Sequence, residues 1–218
     1  MLKYLLLILL LFQNCFEYEE NIYFRRGFTG FVEISYTVPL NPKTEKSIIR
    51  FLPITQEEIE KRINKGIFNQ NLKIRDFEVK YIEAPIWQDT NVPKPLFPRK
   101  ANVKYKIDFE DLSKLDDVLL GYLFVKKKGN TLNVRREFKS VLKPIEPDSS
   151  PGEKKIYSET LRLLGEGFIL FRVIFPSRYD CRSNKGEIGK GYLIYKLPLA
   201  DTIEKPGLKT WDYTIIIN

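Results

Sequence analysis

Two cysteines and one run of carboxylates are the residues of this 218-residue chain whose types could do chemistry. The sequence contains no histidine, which excludes Ser-His-Asp and Cys-His catalysis and histidine-ligated zinc. Cys181 lies between Arg178 and Arg182, and guanidinium groups close to a thiol lower its pKa. Because no histidine can act as its base, an unreactive thiol in a loop is favoured over a catalytic one.

The carboxylates are concentrated between positions 108 and 117. They are Asp108, Glu110, Asp111, Asp116 and Asp117. Calcium accepts oxygen ligands of this type, but the run lacks the spacing and the central glycine of an EF-hand. A carboxylate pair can also hydrolyse glycosides, but nothing in the pattern places these residues across a cleft. Helix capping and solvation explain the run more simply, so we expect no metal, no cofactor and no enzymatic activity.

Cys15 ends a segment with the organisation of an export signal. Lys3 precedes an apolar run from Tyr4 to Phe12, which is too short to span a bilayer and has the length of a signal h-region. Gln13-Asn14 leads directly into the cysteine. A buried N-terminal strand with an incidental cysteine is the alternative interpretation.

This order of residues resembles a bacterial lipoprotein signal. Phe12 and Asn14 depart from the usual lipobox, but the Asn-Cys ending is similar to the relaxed lipoboxes of spirochaetes. The resemblance implies a signal peptide at residues 1–14, cleavage before Cys15, and acylation of the new N-terminal residue. Two or three acyl chains exceed the single chain that anchors only marginally. The chain is then expected in the bacterial cell envelope as a membrane-anchored lipoprotein, with the membrane and the leaflet left open.

Basic residues exceed acidic ones, 36 against 28, and many of them lie in one segment. The basic segment contains Lys126, Lys127, Lys128, Arg135, Arg136, Lys139 and Lys143. It predicts a hairpin that attracts anionic partners, such as lipid head groups or sulfated glycans. The plainer alternative is that these lysines only protect a sheet edge from pairing with another chain. Nucleic acid is not expected as a partner, because no RNA- or DNA-binding signature is present and an exported protein does not meet it.

Alternating apolar and polar residues dominate the chain and predict strands. These are Phe16–Phe24, Phe31–Val38, Leu72–Glu83, Ala101–Phe109, Val118–Lys128, Thr131–Leu142, Phe168–Phe175, Gly191–Leu197 and Trp211–Ile217. Gly129-Asn130 predicts a tight hairpin turn between two of them.

Helix signals are fewer. Thr55 and Glu58 form a capping box that starts a helix, and Gly66 ends it. Ser150, with Pro151 and Glu153 after it, starts a second helix, and a short helix or turn is expected within 108–117 with Leu112 and Leu115 inward.

A proline-rich segment, Ala84 to Lys100, interrupts the strands. Its four prolines exclude a central strand and predict an irregular surface loop. Trp87, Leu96 and Phe97 are apolar groups within it, and they indicate either a partner surface or a loop that folds back to bury them.

Strands outnumber helices, so the predicted class is α+β with a predominantly antiparallel sheet, a partly closed barrel being one form of it, and two or three short helices. We expect one domain from Cys15 to Asn218. The order of the anchor cysteine, a first hairpin, a middle helix and the late segments resembles the LppM-like bacterial lipoproteins. The late segments are Arg172-Val173-Ile174-Phe175-Pro176, Ser183-Asn184-Lys185-Gly186 and Trp211-Asp212-Tyr213. The resemblance implies an envelope protein with a lipid-facing cavity and no catalytic residues.

Two functional hypotheses follow. The first is a membrane-anchored, non-catalytic binding module, either for a lipid or amphiphile in a β-lined cavity or for another envelope protein. The second is a surface adhesin that binds host matrix or sulfated glycans through the basic hairpin, residues 126–143. The sequence leaves the ligand and the oligomeric state open.

Overall fold

The computed structural model describes residues 17–49, 52–65, 72–83, 97–138, 150–155, 157–158, 167–199 and 209–218. Several predictions concern residues outside these ranges: the signal segment with Cys15, Gly66, Trp87, Leu96, Lys139 and Lys143. The described part of the chain contains eleven strands: β1 (Glu17–Phe24), β2 (Gly30–Pro39), β3 (Ile74–Glu83), β4 (Arg99–Phe109), β5 (Tyr122–Lys128), β6 (Thr131–Phe138), β7 (Phe168–Ile174), β8 (Tyr179–Ser183), β9 (Glu187–Gly189), β10 (Tyr192–Pro198) and β11 (Lys209–Ile217).

The strands form two sheets. The large sheet has the order β3-β4-β2-β1-β7-β10-β9, and the small sheet has the order β5-β6-β11-β8. Every described pair is antiparallel except β1 with β7. In the described residues both sheets are open, because each has two end strands with a neighbour on one side only. The expected partial closure into a barrel is therefore not found.

The class is β-rich rather than α+β. Helix α1 (Gln56–Ile63) begins as predicted, with the Thr55 side chain accepting a hydrogen bond from the Glu58 amide. The carboxylate region forms only a 3-10 turn at Leu112–Leu115, and both leucines are buried as expected. Residues 151–155 are helical, and the Ser150 hydroxyl and Glu153 carboxylate cap each other's backbone amides. Sheet pairing thus dominates, and the helical segments are short.

The two sheets pack face to face over an aromatic core. Phe138 of the small sheet lies 5.0 Å from Phe171 of the large sheet, and Trp211 lies 5.4 Å from the same ring, centroid to centroid. Trp211 is fully buried. Ile59 and Ile63 of α1 join the same buried cluster. Burial of this aromatic surface contributes much of the hydrophobic stabilisation that holds the two sheets together.

Among the differences between the predicted strands and the structure, three concern residues discussed above. Arg99 and Lys100 belong to β4 and not to the proline-rich loop, because they pair with Glu83 and Ile82 of β3. The strand expected from Val118 begins only at Tyr122, after a turn in which Gly121 has φ +84°. Cys181 lies in a strand rather than a loop. It belongs to β8, which pairs with β11, and there it stands opposite Ile215.

Candidate functional site

The basic segment folds as the β5–β6 hairpin, and strand alternation divides its cations between two faces. Lys126, Lys128 and Arg135 lie on the outer face of the small sheet, which points away from the large sheet. Lys127 points to the opposite side, where its Nζ lies 3.4 Å from the Gly27 carbonyl oxygen and 5.5 Å from the centre of the Phe28 ring. The turn forms as predicted, with Gly129 at φ +55°.

Arg136 is not part of the anion-binding surface that the sequence predicted. Its side chain is fully buried, since alternation along β6 points it into the core with Val134 and Phe138. There Arg136 Nη1 lies 2.5 Å from Oε1 of Glu20 on β1, and Nη2 lies 3.3 Å from Oε2. Nη2 also donates to the Leu120 carbonyl. This arginine therefore joins the two sheets and is not available to a ligand.

The surroundings of this buried pair are polar on one side and aromatic on the other. Glu20 also accepts hydrogen bonds from the Tyr18 hydroxyl and the Leu120 amide, each at 3.4 Å. The guanidinium carbon of Arg136 lies 5.1 Å from the centre of the Phe171 ring. Burial opposes the charge of the guanidinium, but the Glu20 carboxylate outweighs it and the pKa of Arg136 is raised. Within the described chain, Arg136 Nε has no hydrogen-bond partner.

The outer face of the small sheet carries an open depression of about 290 Å³. Side chains from three neighbouring strands line it: Phe124, Lys126, Asn133, Arg135, Asp212 and Thr214. Phe124 is 53% exposed, although aromatic side chains are usually buried. We call this surface the outer basic face, and we include Lys128 and Arg182 at its margins.

Cross-strand pairing fixes the positions of these groups. Arg135 stands between Phe124 of β5 and Asp212 of β11, and its Nε lies 2.9 Å from Asp212 Oδ1. Asn133 stands between Lys126 and Thr214, and the Thr214 hydroxyl donates to Asn133 Oδ1 at 2.9 Å. Arg182 of β8 continues this row. The depression therefore combines an exposed ring, an amide, a hydroxyl and cationic groups.

Among the described residues, the outer face carries four cations and three carboxylates, Glu137, Asp180 and Asp212, so its net charge is only slightly positive. In the described part of the chain, Arg135 pairs with Asp212, whereas Lys126, Lys128 and Arg182 have no ion-pair partner. Cations of this kind can exchange their water and counter-ions for an anionic group at small desolvation cost. The face can thus bind an anion without first breaking an internal contact.

The tip of the β5–β6 hairpin lies near the end of β1 that is opposite to Glu17. β1 starts at Glu17 and runs toward the turn at Arg26–Phe28, and Lys127 contacts that turn. Eight residues of strand extend about 26 Å. The tip of the β5–β6 hairpin is thus separated from the start of β1 by about the length of that strand.

The remaining candidates have structural roles. Asp111 caps the 3-10 turn through the Ser113 amide at 2.9 Å, and Asp116 accepts from the Leu123 amide at 2.6 Å. Asp108 pairs with Arg75 at 2.5 Å. No cluster of three or more acidic or cysteine side chains suited to a metal occurs in the described ranges. Capping thus explains Asp111 and Asp116, and an ion pair holds Asp108.

Cys181 is half-buried in β8, and burial raises the pKa of its thiol to about 11. The neighbouring arginines do not lower it, because Arg182 points to the other face. Of the apolar loop residues, Phe97 is half-buried. No helix in the described residues combines the length and the apolar character that crossing a bilayer requires.

The sequence reasoning missed several members of the outer basic face. Tyr122 and Phe124 are exposed, but Leu123 and Val125, which alternate with them, are also apolar, so the pattern does not tell which side of the strand faces the core. Asn133, Asp212 and Thr214 reach the depression only because β6 pairs with β11. Pairing between such distant segments has no local sequence signal.

The solved structures to which the chain is similar include the following two. The folded domain of LppM from Mycobacterium tuberculosis is 12% identical, with a TM-score of 0.46, over 93% of this chain and 90% of that one. The M1 zinc metallopeptidase from Deinococcus radiodurans is 8% identical, with a TM-score of 0.29, over 92% of this chain and 41% of that one. The predicted similarity to LppM is therefore found, and nothing about ligand or activity follows from it.

No curated protein matches the sequence. The sequence model of one family does match, and it covers residues 10–218, which is nearly the whole chain. The chain belongs to the LIC11874-like family.

Proposed function

We propose that this chain is an envelope lipoprotein, acylated at Cys15, that acts as a non-catalytic binding module for a sulfated or phosphorylated glycan. The ligand occupies the depression on the outer basic face. The observation that carries the proposal is the meeting of Phe124, Lys126, Asn133 and Arg135 in one open depression of about 290 Å³.

The chemistry of the depression suits an acidic sugar. An exposed ring such as Phe124 offers an apolar platform on which the C–H face of a sugar packs. The Asn133 amide and the Thr214 hydroxyl can exchange hydrogen bonds with sugar hydroxyls. Lys126 and Arg135 supply charge-assisted hydrogen bonds to sulfate or phosphate oxygens. A small concave site with a few convergent polar groups is the usual form of a ligand site.

A lipid or amphiphile between the sheets has less support. The region where a β-lined cavity would lie is filled by Phe138, Phe171, Trp211 and Tyr213, with ring centroids about 5 Å apart. The exposed position of Phe124 is also compatible with an envelope protein as the partner. Such a partner would bind the outer basic face through acidic groups on its own surface. In the test below, a protein partner instead of a glycan corresponds to no retention on heparin.

Retention of the full chain on immobilised heparin, with chemically desulfated heparin as the reference matrix, tests this function. We expect salt-dependent retention on the sulfated matrix only. The variant with both Lys126→Glu and Lys128→Glu should elute at distinctly lower salt. Equal retention on both matrices, or no retention, contradicts the glycan proposal. Retention of the variant at the wild-type salt concentration contradicts the proposed location.

The anchor has its own test. Replacing Cys15→Ala removes the acceptor of the acyl chains, so we expect the protein to move from the detergent phase to the aqueous phase in a detergent phase-separation experiment. Cys181→Ala is the matched control and should not change the partitioning. Unchanged partitioning of the Cys15 variant contradicts the lipoprotein proposal and leaves glycan binding unaffected.

A further inference from the structure

The end of the large sheet next to Cys15 exposes apolar and basic side chains. Glu17 of β1 pairs with Thr37, which pairs with Asn102, which pairs with Lys80 of β3. Because these neighbours are antiparallel, residues beyond Lys80 on β3 lie on the same side as residues before Glu17 on β1. Tyr81 and Ile82 occupy those positions, and they are 49% and 47% exposed.

Charged side chains of both signs surround these two apolar residues. The Arg99 guanidinium lies 4.5 Å from the centre of the Tyr81 ring, and it pairs with Glu45 at 2.9 Å and with Glu83 at 3.8 Å. The turn after β2 extends beyond the same end, and it is held by Asn41 Oδ1, which accepts hydrogen bonds from the amides of Lys43 and Thr44. Lys43 and Lys46 in this turn are exposed. Among the described residues neither has an acidic partner.

The length of chain to the anchor is very short. Only Phe16 lies between Cys15 and Glu17, so their Cα atoms are at most about 7 Å apart. β3 lies three strands from β1, about 14 Å across the sheet. An acylated Cys15 therefore holds this end of the sheet at the level of the lipid head groups, where tyrosines are enriched and lysines attract anionic lipids.

We propose that Lys43, Lys46, Tyr81, Ile82 and Arg99 form an anchor rim that docks on an anionic bilayer surface. Docking by this rim orients the domain, because the anchor alone leaves it free to rotate about one point. The tip of the β5–β6 hairpin then lies at the end of the domain away from the bilayer, and the outer basic face is not pressed against the bilayer. This inference uses the acylated Cys15 of the proposed function but does not use its glycan.

Depth measurements on the full chain test the rim. The protein is made in a bacterium that acylates lipoproteins, in a Cys181→Ser background, with Ile82→Cys or Phe124→Cys carrying an environment-sensitive fluorophore. It is reconstituted into vesicles of phosphatidylcholine and phosphatidylglycerol that contain a head-group nitroxide lipid. We expect several-fold stronger quenching at position 82 than at position 124. Equal quenching, stronger quenching at 124, or no quenching at 82 overturns the rim.

Two charge reversals distinguish a specific role of the rim lysines from a general effect of positive charge. Lys43→Glu with Lys46→Glu should weaken the quenching at position 82, whereas Lys126→Glu, a charge reversal on the outer basic face, should leave it unchanged. An equal effect of both changes contradicts a role for the rim lysines. Flotation of the vesicles reports the anchor separately. A chain that does not float refutes both the acyl anchor and the docked rim, and one that floats without quenching at 82 refutes the rim alone.

Discussion

Two consecutive arginines on β6 behave in opposite ways. The Arg135 side chain is 55% exposed and pairs with Asp212 on the outer basic face. The Arg136 side chain is fully buried and pairs with Glu20 across the two sheets. Successive side chains of a strand point to opposite faces, so one position in sequence separates a surface group from a core group.

The difference shows that a run of like charges in a β-rich chain is not one site. The same division occurs on β8, where Cys181 is half-buried opposite Ile215 and Arg182 lies on the outer face. It also separates Lys126 from Lys127. The summed charge of the basic segment is therefore larger than the charge that a ligand on one face of the sheet meets. Because the two faces are separate, variants can test each of them independently.

The largest loss of stability is expected when the buried Arg136 is replaced. Arg136→Met leaves the Glu20 carboxylate uncompensated in the core, and loss of one partner of a buried pair lowers stability by about 3–5 kcal/mol. Arg135→Met, its matched control, removes an exposed ion pair worth less than about 1 kcal/mol. Urea unfolding followed by far-UV circular dichroism measures both. Equal destabilisation by the two changes would show that the buried pair has no special role.

The second prediction concerns the energetic coupling between Glu20 and Arg136. Replacing both residues, Glu20→Leu with Arg136→Met, removes the uncompensated charge, so the double variant should be more stable than the Arg136→Met variant. The free energies of unfolding of the two single variants and the double variant form a cycle that measures the coupling. Additive losses would mean that the two side chains stabilise the fold separately.

On the outer basic face we expect a change in affinity without a change in stability. Arg135→Met removes one cation and the partner of Asp212 from the depression, so heparin affinity should fall several-fold. The free energy of unfolding should change by less than about 1 kcal/mol. Titration calorimetry and urea unfolding on the same preparation measure the two quantities. An equal loss of affinity in Lys127→Met, whose side chain points to the opposite side of the hairpin, would favour net charge over the specific site.

The smallest effect concerns Cys181. Because burial raises its pKa to about 11, only about one thiol in a thousand is ionised at pH 8. Alkylation by iodoacetamide at pH 8 should be far slower in the folded chain than in urea, as followed by mass spectrometry of the Cys181 peptide. Rapid alkylation of the folded chain would restore the hypothesis of a thiol activated by its arginine neighbours.

Local features of this fold were predictable from sequence, and long-range ones were not. The hairpin of β1 and β2, the helix started by Thr55 and the turn at Gly129 depend on residues close in sequence, and all three form. The division into two sheets depends on β11 pairing with β6 and β8, which are distant in the chain. The buried Glu20 did leave a signal, a carboxylate at an inward position of an alternating strand.

The candidate site was predictable in charge but not in composition. Lys126, Lys128 and Arg135 do share one face, as a basic hairpin predicts. The groups that make the face a depression, Phe124 and Asp212 among them, could be assigned only once the strand pairing was known. Acylation of Cys15 remains a prediction from the N-terminal pattern.

The most direct test of the account compares two neighbouring lysines. Lys126→Glu and Lys127→Glu make the same charge change one position apart, but only Lys126 lines the depression. A sulfated heparin oligosaccharide is titrated into each full-chain variant at physiological salt, where charges more than about 8 Å apart are screened. We expect a several-fold loss of affinity for Lys126→Glu and nearly wild-type affinity for Lys127→Glu. Equal losses would contradict this expectation, because binding would then depend on the charge of the hairpin and not on its outer face.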